Sequence, residues 1–225
     1  MSILKLQDAT VLIHSASRYN GNLYDEVYVQ TSIVTEGPLT DNYYVPAGVS
    51  LHAAALELLK HSGLEYRPYH ESELLTGTEN IFESAKNGDV PDTINDATRL
   101  ILLSVLKKQP LNLVAQNGNV HVYDLRYSYK IYPIVGAPDS YEFSIRLPFD
   151  GITMPNGSKV QLTVVTPSQA TIDQGVTKGI DVNGAEIQET VSQLVQTGKM
   201  VAEFTYQIDP LFTVRYVYNP GSSLV

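Results

Sequence analysis

The residues best suited to chemistry in this sequence are its five histidines, because histidine titrates near neutral pH and readily binds metals. Glu57 and His61 are four residues apart on a predicted helix, so they share a face, and His70 follows shortly after. A zincin motif continuing from His70 would need a second histidine at position 74, which is Leu74. The metal-ligand candidates are therefore Glu57, His61 and His70. A solvated Glu/His pair explains the same spacing, and we predict no metal site.

Other catalytic and cofactor motifs fail at a defining position. Residues 48–52 begin like the nucleophile elbow of a serine hydrolase, but His52 replaces its second glycine. Residues 179–184 resemble the start of a calcium-binding EF-hand loop, yet Gly179 and Thr190 occupy the positions of its two terminal acidic ligands, so a plain turn is the better interpretation. The sequence contains no cysteine, phosphate-binding loop or dinucleotide fingerprint. We predict no enzymatic activity, no catalytic residue and no cofactor.

Tyrosine is the one residue type in clear excess, with 15 tyrosines against 5 phenylalanines and no tryptophan. A tyrosine ring combines a large apolar surface with a hydroxyl group, which suits protein interfaces that stay partly wet. The alternative is that strand tyrosines simply pack one face of a sheet. The predicted interface residues are Tyr43, Tyr44, Tyr66, Tyr69, Tyr127 and Tyr129.

Composition excludes several classes of partner. The net charge is −9, and Lys107-Lys108 is the only pair of adjacent basic residues. Tight binding to nucleic acid or to an anionic membrane needs concentrated positive charge, so neither is expected. Charged residues make up only 17% of the chain, which leaves neutral surface for contacts with other proteins. We expect partners to be copies of the chain and other subunits of an assembly.

The first half of the sequence mixes strands with helices. Residues 10–14 and 27–34 have strand character, and residues 51–61 and 78–87 have helical character, ending at Gly63 and Gly88. The clearest helix is predicted over residues 93–108 and ends at Pro110. Its apolar residues cover a wide arc, which predicts a helix lying between two layers.

The second half alternates between apolar and polar residues. A hairpin is predicted from residues 111–115 and 120–132 around Asn117-Gly118, followed by strands near residues 141–147, 160–164, 200–208 and 212–218. Apolar residues at helical spacing predict a helix over residues 186–197, and residues 167–184 form a predicted long loop or arm.

These elements predict a β-rich α+β fold. We expect an antiparallel β-sandwich or open barrel with three to four helices, two of them packed within the N-terminal half. The expected regions are a mixed α/β region at 1–110 and a β-rich region at 111–225, with a single domain as the alternative.

Several features occur together in this sequence: no cysteine or tryptophan, an acidic net charge, alternating strands rich in Tyr, Thr and Val, Asn-Gly turns, and a polar stretch after Val160–Pro167. In this combination the chain resembles the head, neck and tail proteins of tailed bacteriophages. The resemblance lies in composition and style, so it carries over no site residue. It implies a virion structural or assembly subunit that is made in the host cytoplasm and acts through protein–protein contacts.

Two other function classes stay open from the sequence. A carbohydrate- or ligand-binding β-sandwich is suggested by loop tyrosines close to Asp41, Asn42, Glu65 and Arg67. A metal-dependent enzyme would use the three metal-ligand candidates. The first residues, 1–5, lack the features of a signal peptide, so outside a virion we expect a cytoplasmic protein.

Overall fold

The computed structural model describes residues 3–39, 42–48, 51, 55, 58–59, 61–64, 67–70, 74, 85–88, 90–146, 154–181, 183–207 and 210–219. Strands dominate these residues and form three sheets. The two larger sheets pack face to face over one hydrophobic core, which gives a sandwich-like architecture.

The large sheet has seven strands in the order β14-β15-β10-β1-β2-β7-β6. Every neighbouring pair is antiparallel except β1 and β10, which run parallel. In chain order its strands are β1 (Ile3–His14), β2 (Asp25–Glu36), β6 (Asn112–Asn117), β7 (Val120–Ile131), β10 (Lys159–Val165), β14 (Thr190–Leu194) and β15 (Lys199–Tyr206).

The second sheet has the order β13-β12-β16-β9-β8, and β11 pairs with part of β16. Its strands are β8 (Pro133–Ile134), β9 (Ala137–Arg146), β11 (Ala170–Ile172), β12 (Lys178–Asp181), β13 (Glu186–Ile187) and β16 (Pro210–Tyr218). A small third sheet, β4-β3-β5, consists of β3 (Asn42–Pro46), β4 (Tyr69–His70) and β5 (Leu106–Pro110), and helix α1 (Val90–Val105) leads directly into β5.

Strict alternation along the long strands fixes which face of the large sheet is buried. On β2 and β7 the odd-numbered residues are buried, and the twelve residue pairs between these strands run without a register shift. A one-residue slip would expose this entire set, so the pattern holds the register. The second sheet covers one part of the buried face. Tyr43 and Val45 of β3 join the same core beside the tyrosines of β7.

The strands predicted from alternation are confirmed. The β6–β7 hairpin turns at Gly118, which has a φ of 58°. Glycine reaches that conformation without steric cost. Strands from both predicted regions pair in the large sheet, where β1 and β2 lie beside β10 and β7. Residues 1–110 and 111–225 therefore share one core.

The predicted fold class is wrong in three respects. Instead of three to four helices, one α-helix, α1, has bounds within the described residues. In that part of the chain no sheet forms a barrel. The large sheet is mixed instead of antiparallel, because β1 and β10 run parallel. Of the five described positions in the helix predicted at 51–61, positions 55, 58, 59 and 61 are helical and Leu51 is not. The rest of that segment lies outside the described residues.

The helix predicted over residues 186–197 is also wrong, because this segment forms β13 and β14. Helical spacing of Ile187, Val191 and Leu194 suggested a helix, but β14 pairs along its whole length with β15. The β-branched residues Thr190 and Val191 favour a strand once a partner edge is present. A tertiary contact therefore decided the conformation.

Helix α1 begins and ends three residues earlier than predicted, and the final predicted residues become β5. It does not lie between two layers. Ile94 and Leu100 are exposed, whereas Leu102 and Val105 pack in a second small cluster with Leu59, Tyr69 and Leu74. The predicted arm at 167–184 contributes β11 and β12, which both pair with β16.

A buried carboxylate ties the two larger sheets together. Asp25, at the start of β2, has no exposed surface. Its Oδ2 accepts hydrogen bonds from the hydroxyls of Tyr216 (2.6 Å) and Tyr218 (2.8 Å) on β16, and its Oδ1 accepts one from the backbone N–H of Ser17 (2.9 Å). The guanidinium of Arg18 lies 3.8 Å from the centre of the Tyr218 ring. The charge is thus fully buried but hydrogen-bonded at both oxygens.

We expect Asp25→Asn to lower the free energy of unfolding by about 2 kcal/mol, because an amide has only one accepting oxygen and its NH2 group would face either the two tyrosine hydroxyls or the Ser17 N–H, all of them donors. Asp8→Asn, on the exposed face of β1, is the matched control and leaves stability unchanged. Urea denaturation of both variants measures the difference. Equal midpoints would contradict the role given to Asp25.

The same cluster predicts loss of stability in alkali. Burial raises the pKa of Tyr216 well above its ordinary value, and the Asp25 carboxylate raises it further. Burial also raises the pKa of Tyr127, Tyr141 and Tyr218. The folded state therefore favours neutral phenols. This stabilisation is complete below the unfolded tyrosine pKa of about 10 and declines as pH rises above it.

We expect these phenols to ionise only together with unfolding. Phenolate absorbance and far-UV circular dichroism, followed during one alkaline titration, should change together for the buried tyrosines. Ionisation of all 15 tyrosines near the ordinary pKa with unchanged circular dichroism would contradict the expectation.

Candidate assembly surface

The predicted metal ligands do not form a site among the described residues. His61 is exposed at the end of its helical segment, and His70 is half-buried on β4. Glu57 lies outside the described residues. Within the part of the chain that the structure describes, no group of three His, Asp or Glu side chains is placed to hold a metal ion.

Most of the predicted interface tyrosines lie inside the chain. Tyr43, Tyr69, Tyr127 and Tyr129 are buried, and Tyr44 is half-buried. Tyr66 lies outside the described residues. A ring buried within its own chain cannot also cover a partner, so these four tyrosines act as core residues. The interface has to be sought elsewhere.

The surroundings of the predicted sugar-binding tyrosines are also interior. Arg67 is nearly buried, with its guanidinium 4.0 Å from the centre of the Tyr69 ring, and it donates to the carbonyl of Pro68. A shallow cleft of about 460 Å³ lies elsewhere, where β10 begins and β15 ends. Its described lining is Asn156, Lys159, Thr205, Tyr206 and Gln207.

Asp181 shows why the calcium-like segment forms a turn. Its Oδ1 accepts hydrogen bonds from the backbone N–H groups of Asn183 and Ala185, both at 2.8 Å. Its Oδ2 accepts the hydroxyl of Tyr206 at 3.0 Å, which links β12 to β15 across the two sheets. Both oxygens are therefore used within the protein, as the sequence predicted for a plain turn.

The large sheet exposes a polar face opposite its core. Along the central strands this face presents Asp8, Thr10, Gln30, Arg126 and Glu203, all exposed. Both acidic and basic side chains lie there, and Arg126 pairs with Asp124 at 2.8 Å. Such a face favours contact with water over contact with a hydrophobic partner.

The first open edge of the large sheet is β6. All six of its residues are exposed, including Leu113 (48%) and Val114 (59%), and none is charged or proline. Val114 is the extra residue of a bulge, since Leu113 pairs with Tyr123 and Ala115 pairs with Val122. On its outer side β6 presents backbone N–H and C=O groups that no strand of this chain pairs within the described residues.

The second open edge is β14, at the opposite side of the same sheet. Its sequence, Thr190–Leu194, also contains no charge and no proline. Val191 is half-buried, whereas Leu194 is exposed. Val195, in the turn that follows, is 90% exposed, the highest exposure recorded among the large apolar side chains of the described residues.

The other sheet edges that the structure describes are protected by devices that β6 and β14 lack. In the small sheet, β4 is two residues long, and β5 carries Lys107, Lys108 and Pro110. In the second sheet, β8 and β13 are two residues each. Short strands, lysines, prolines and bulges are the usual means of preventing edge-to-edge association; of these, β6 carries only the bulge at Val114 and β14 carries none. The contrast marks β6 and β14 as the candidate assembly surface.

The comparisons with known proteins add no assignment: no family model and no curated protein matches this chain. No helix in the described part of the chain combines the length and the apolar character needed to span a bilayer.

Sequence reasoning found β6 as the predicted strand at 111–115 but placed β14 in a predicted helix, and it identified neither as a sheet edge. The absence of charge from 109–123 and from 190–198 is visible in the sequence. However, residues 160–172 are equally uncharged, and they include β10 in the interior of the sheet. Only strand order shows which of these segments lies at an edge.

The Asp181 turn predicts a stability contribution that disappears in acid. The N–H of Ala185, and then the hydroxyl of Tyr206 and the N–H of Asn183, lower the pKa of Asp181, with burial acting in the opposite direction. The ionised turn therefore stabilises the fold above the unfolded aspartate pKa of about 4, and this is lost as pH falls through the lower folded pKa.

We expect Asp181→Asn to be less stable than the wild type at neutral pH, with the difference shrinking as pH falls below about 4. Urea midpoints across that range measure it, with Asp8→Asn as control. A difference that stays constant down to the lowest pH would contradict a role for the charge.

Proposed function

We propose that this protein is a structural subunit that assembles with copies of itself through the edges of its large sheet, and that it serves in a virion. The observation that carries the first part is the pair of uncharged, unprotected edge strands, β6 and β14. Adding a strand to such an edge satisfies backbone groups of both partners and so stabilises the contact.

The apolar side chains at the two edges support a protein partner. Leu113, Val114 and Leu194 are exposed next to backbone groups that can form a ladder. A new strand placed against either edge would bury these side chains as well as pair the backbone. In a chain that remained monomeric, the same features would promote uncontrolled aggregation. A defined assembly removes that hazard by covering both edges.

The virion part of the proposal is supported by the compositional resemblance to tailed-bacteriophage structural proteins. It predicts that the gene lies among genes for other particle proteins and that the chain is found in purified particles. A gene located among metabolic enzymes, with no trace of the chain in particles, would argue against a virion role while leaving self-assembly intact.

Lysine at either edge should weaken self-association. We expect Ala115→Lys on β6 and Ser192→Lys on β14 each to weaken association about tenfold, which is about 1.4 kcal/mol. Light scattering over a range of protein concentrations measures the change. Circular dichroism verifies that both variants still fold.

Gln174→Lys is the matched control, because Gln174 is exposed in the turn between β11 and β12, away from the two edges. It adds the same charge and should leave association unchanged. A wild-type protein that remains strictly monomeric at high concentration, or edge variants that associate like Gln174→Lys, would refute assembly through the edges.

A further inference from the structure

The two open edges are complementary in direction. Following the pairing across the sheet, β14 runs antiparallel to β6. When a second copy is placed beside the first in the same orientation, β14 of the second copy meets β6 of the first as an antiparallel neighbour. Antiparallel pairing continues the ladder that both strands already form with β7 and β15.

The edges lie at different heights along the strands. Ser192 on β14 is in register with Val201, Val165 and, on β1, Leu12. Ala115 on β6 is in register with Val122, Val34 and, on β1, Leu6. Six residues of β1 separate the two rows, which is about 20 Å at about 3.3 Å per residue.

This offset is close to the stagger that a closed, tilted sheet requires. Seven strands at about 4.8 Å each span about 34 Å, so an offset of about 20 Å corresponds to a strand tilt of about 30° from the ring axis. Strands in closed barrels tilt by roughly 35–45°, and the tilt is what brings staggered edges level. A tilted ring therefore aligns β6 of each copy with β14 of the next.

The direction of the offset decides which face points inward. Gly37 N–H donates to Asn119 O at 2.8 Å and continues the β2–β7 ladder, so the core-facing residues of β2 direct their N–H and C=O groups at β7. Consider the sheet viewed from its buried face with β2 running upward. The handedness of L-residues then places β6 at the upper right and β14 at the lower left. The right-handed tilt that strand twist gives to barrels then puts the buried face, with the second sheet, on the outside.

We propose that copies of this chain join head to tail, β6 of one to β14 of the next, into a closed ring whose continuous sheet lines a central channel. This inference rests on the proposed self-assembly and specifies its geometry. The polar face carrying Asp8, Gln30 and Arg126 lines the channel, and the second sheet forms the outer layer. A single type of contact covers both edges of every copy, as closed rings require.

A two-fold pairing of β6 with β6, or of β14 with β14, is also antiparallel, but it uses one edge and leaves the other open. Alternating the two kinds of two-fold contact would cover both edges, but β6 would then meet only β6 and β14 only β14. Head-to-tail pairing brings β6 against β14, whereas two-fold pairing brings each edge against its own copy. Cross-linking can distinguish the two.

The absence of cysteine makes disulfide mapping direct. Ala115 and Asn117 of β6, and Thr190 and Ser192 of β14, all lie on the polar face of the sheet. We would replace each by cysteine singly, mix β6 with β14 variants and oxidise them mildly. Antiparallel neighbours have Cα atoms about 4.5–5.5 Å apart, a spacing that a disulfide spans. Gln174→Cys is the control away from both edges.

We expect disulfides between β6 and β14 cysteines, none with Gln174→Cys, and rings with a central opening in electron micrographs. The double variant Ala115→Cys/Ser192→Cys should give covalent oligomers larger than dimers. Disulfides only between identical β6 variants or identical β14 variants would overturn the head-to-tail arrangement. Cross-linked open filaments would overturn closure.

Light scattering under the same conditions separates this inference from the proposed function. An oligomer that forms no disulfide between β6 and β14 would overturn the ring and leave self-assembly standing. A monomer at every concentration would overturn both.

Discussion

The Asp25 carboxylate determines how the rest of the molecule is arranged. By accepting two tyrosine hydroxyls from β16 and a backbone N–H from the β1–β2 connection, it fixes the second sheet against the buried face of the large one. A buried charge is tolerated only where its oxygens are hydrogen-bonded, so the two sheets cannot slide without exposing an unsatisfied ion. With one face of the large sheet committed to the core, its polar face and its two edges remain for other contacts.

The same division explains the tyrosine excess. Beside Asp25, Tyr141 stacks on Tyr216, and both rings meet Tyr218 edge to face. Tyr127 and Tyr129 stack beside each other on β7. These rings fill the space between the sheets. The hydroxyls of Tyr216 and Tyr218 bind Asp25, and the ring of Tyr218 contacts the Arg18 guanidinium. Tyrosine therefore supplies internal packing with polar anchoring here. The surfaces open to partners consist instead of small aliphatic and amide side chains on β6 and β14.

Edge strands explain how a chain without a recognised catalytic motif can still have a specific function. The edge strands of the other two sheets are two residues long or, in β5, carry lysine and proline, whereas β6 and β14 of the large sheet carry neither lysine nor proline. Their opposite directions and their offset along the strands are properties of the whole sheet. In the proposed assembly, the direction and the offset of the two edges set how one copy meets the next.

Sequence alone determined the strands and their buried faces, because period-two alternation reports one covered face wherever a strand is long. It also located the β6–β7 turn at Gly118 and the plain turn at Asp181, since these depend on local backbone chemistry. The sequence-based prediction failed where contacts between distant segments determine the conformation or the burial of a residue. Residues 190–194 form a strand because β15 offers an edge, and β1 pairs in parallel with a strand more than a hundred residues away. Four of the predicted interface tyrosines are buried in clusters formed by segments distant in the chain. Whether an uncharged strand lies inside a sheet or at its edge depends on strand order, which is set by contacts far apart in the chain and leaves no local signal.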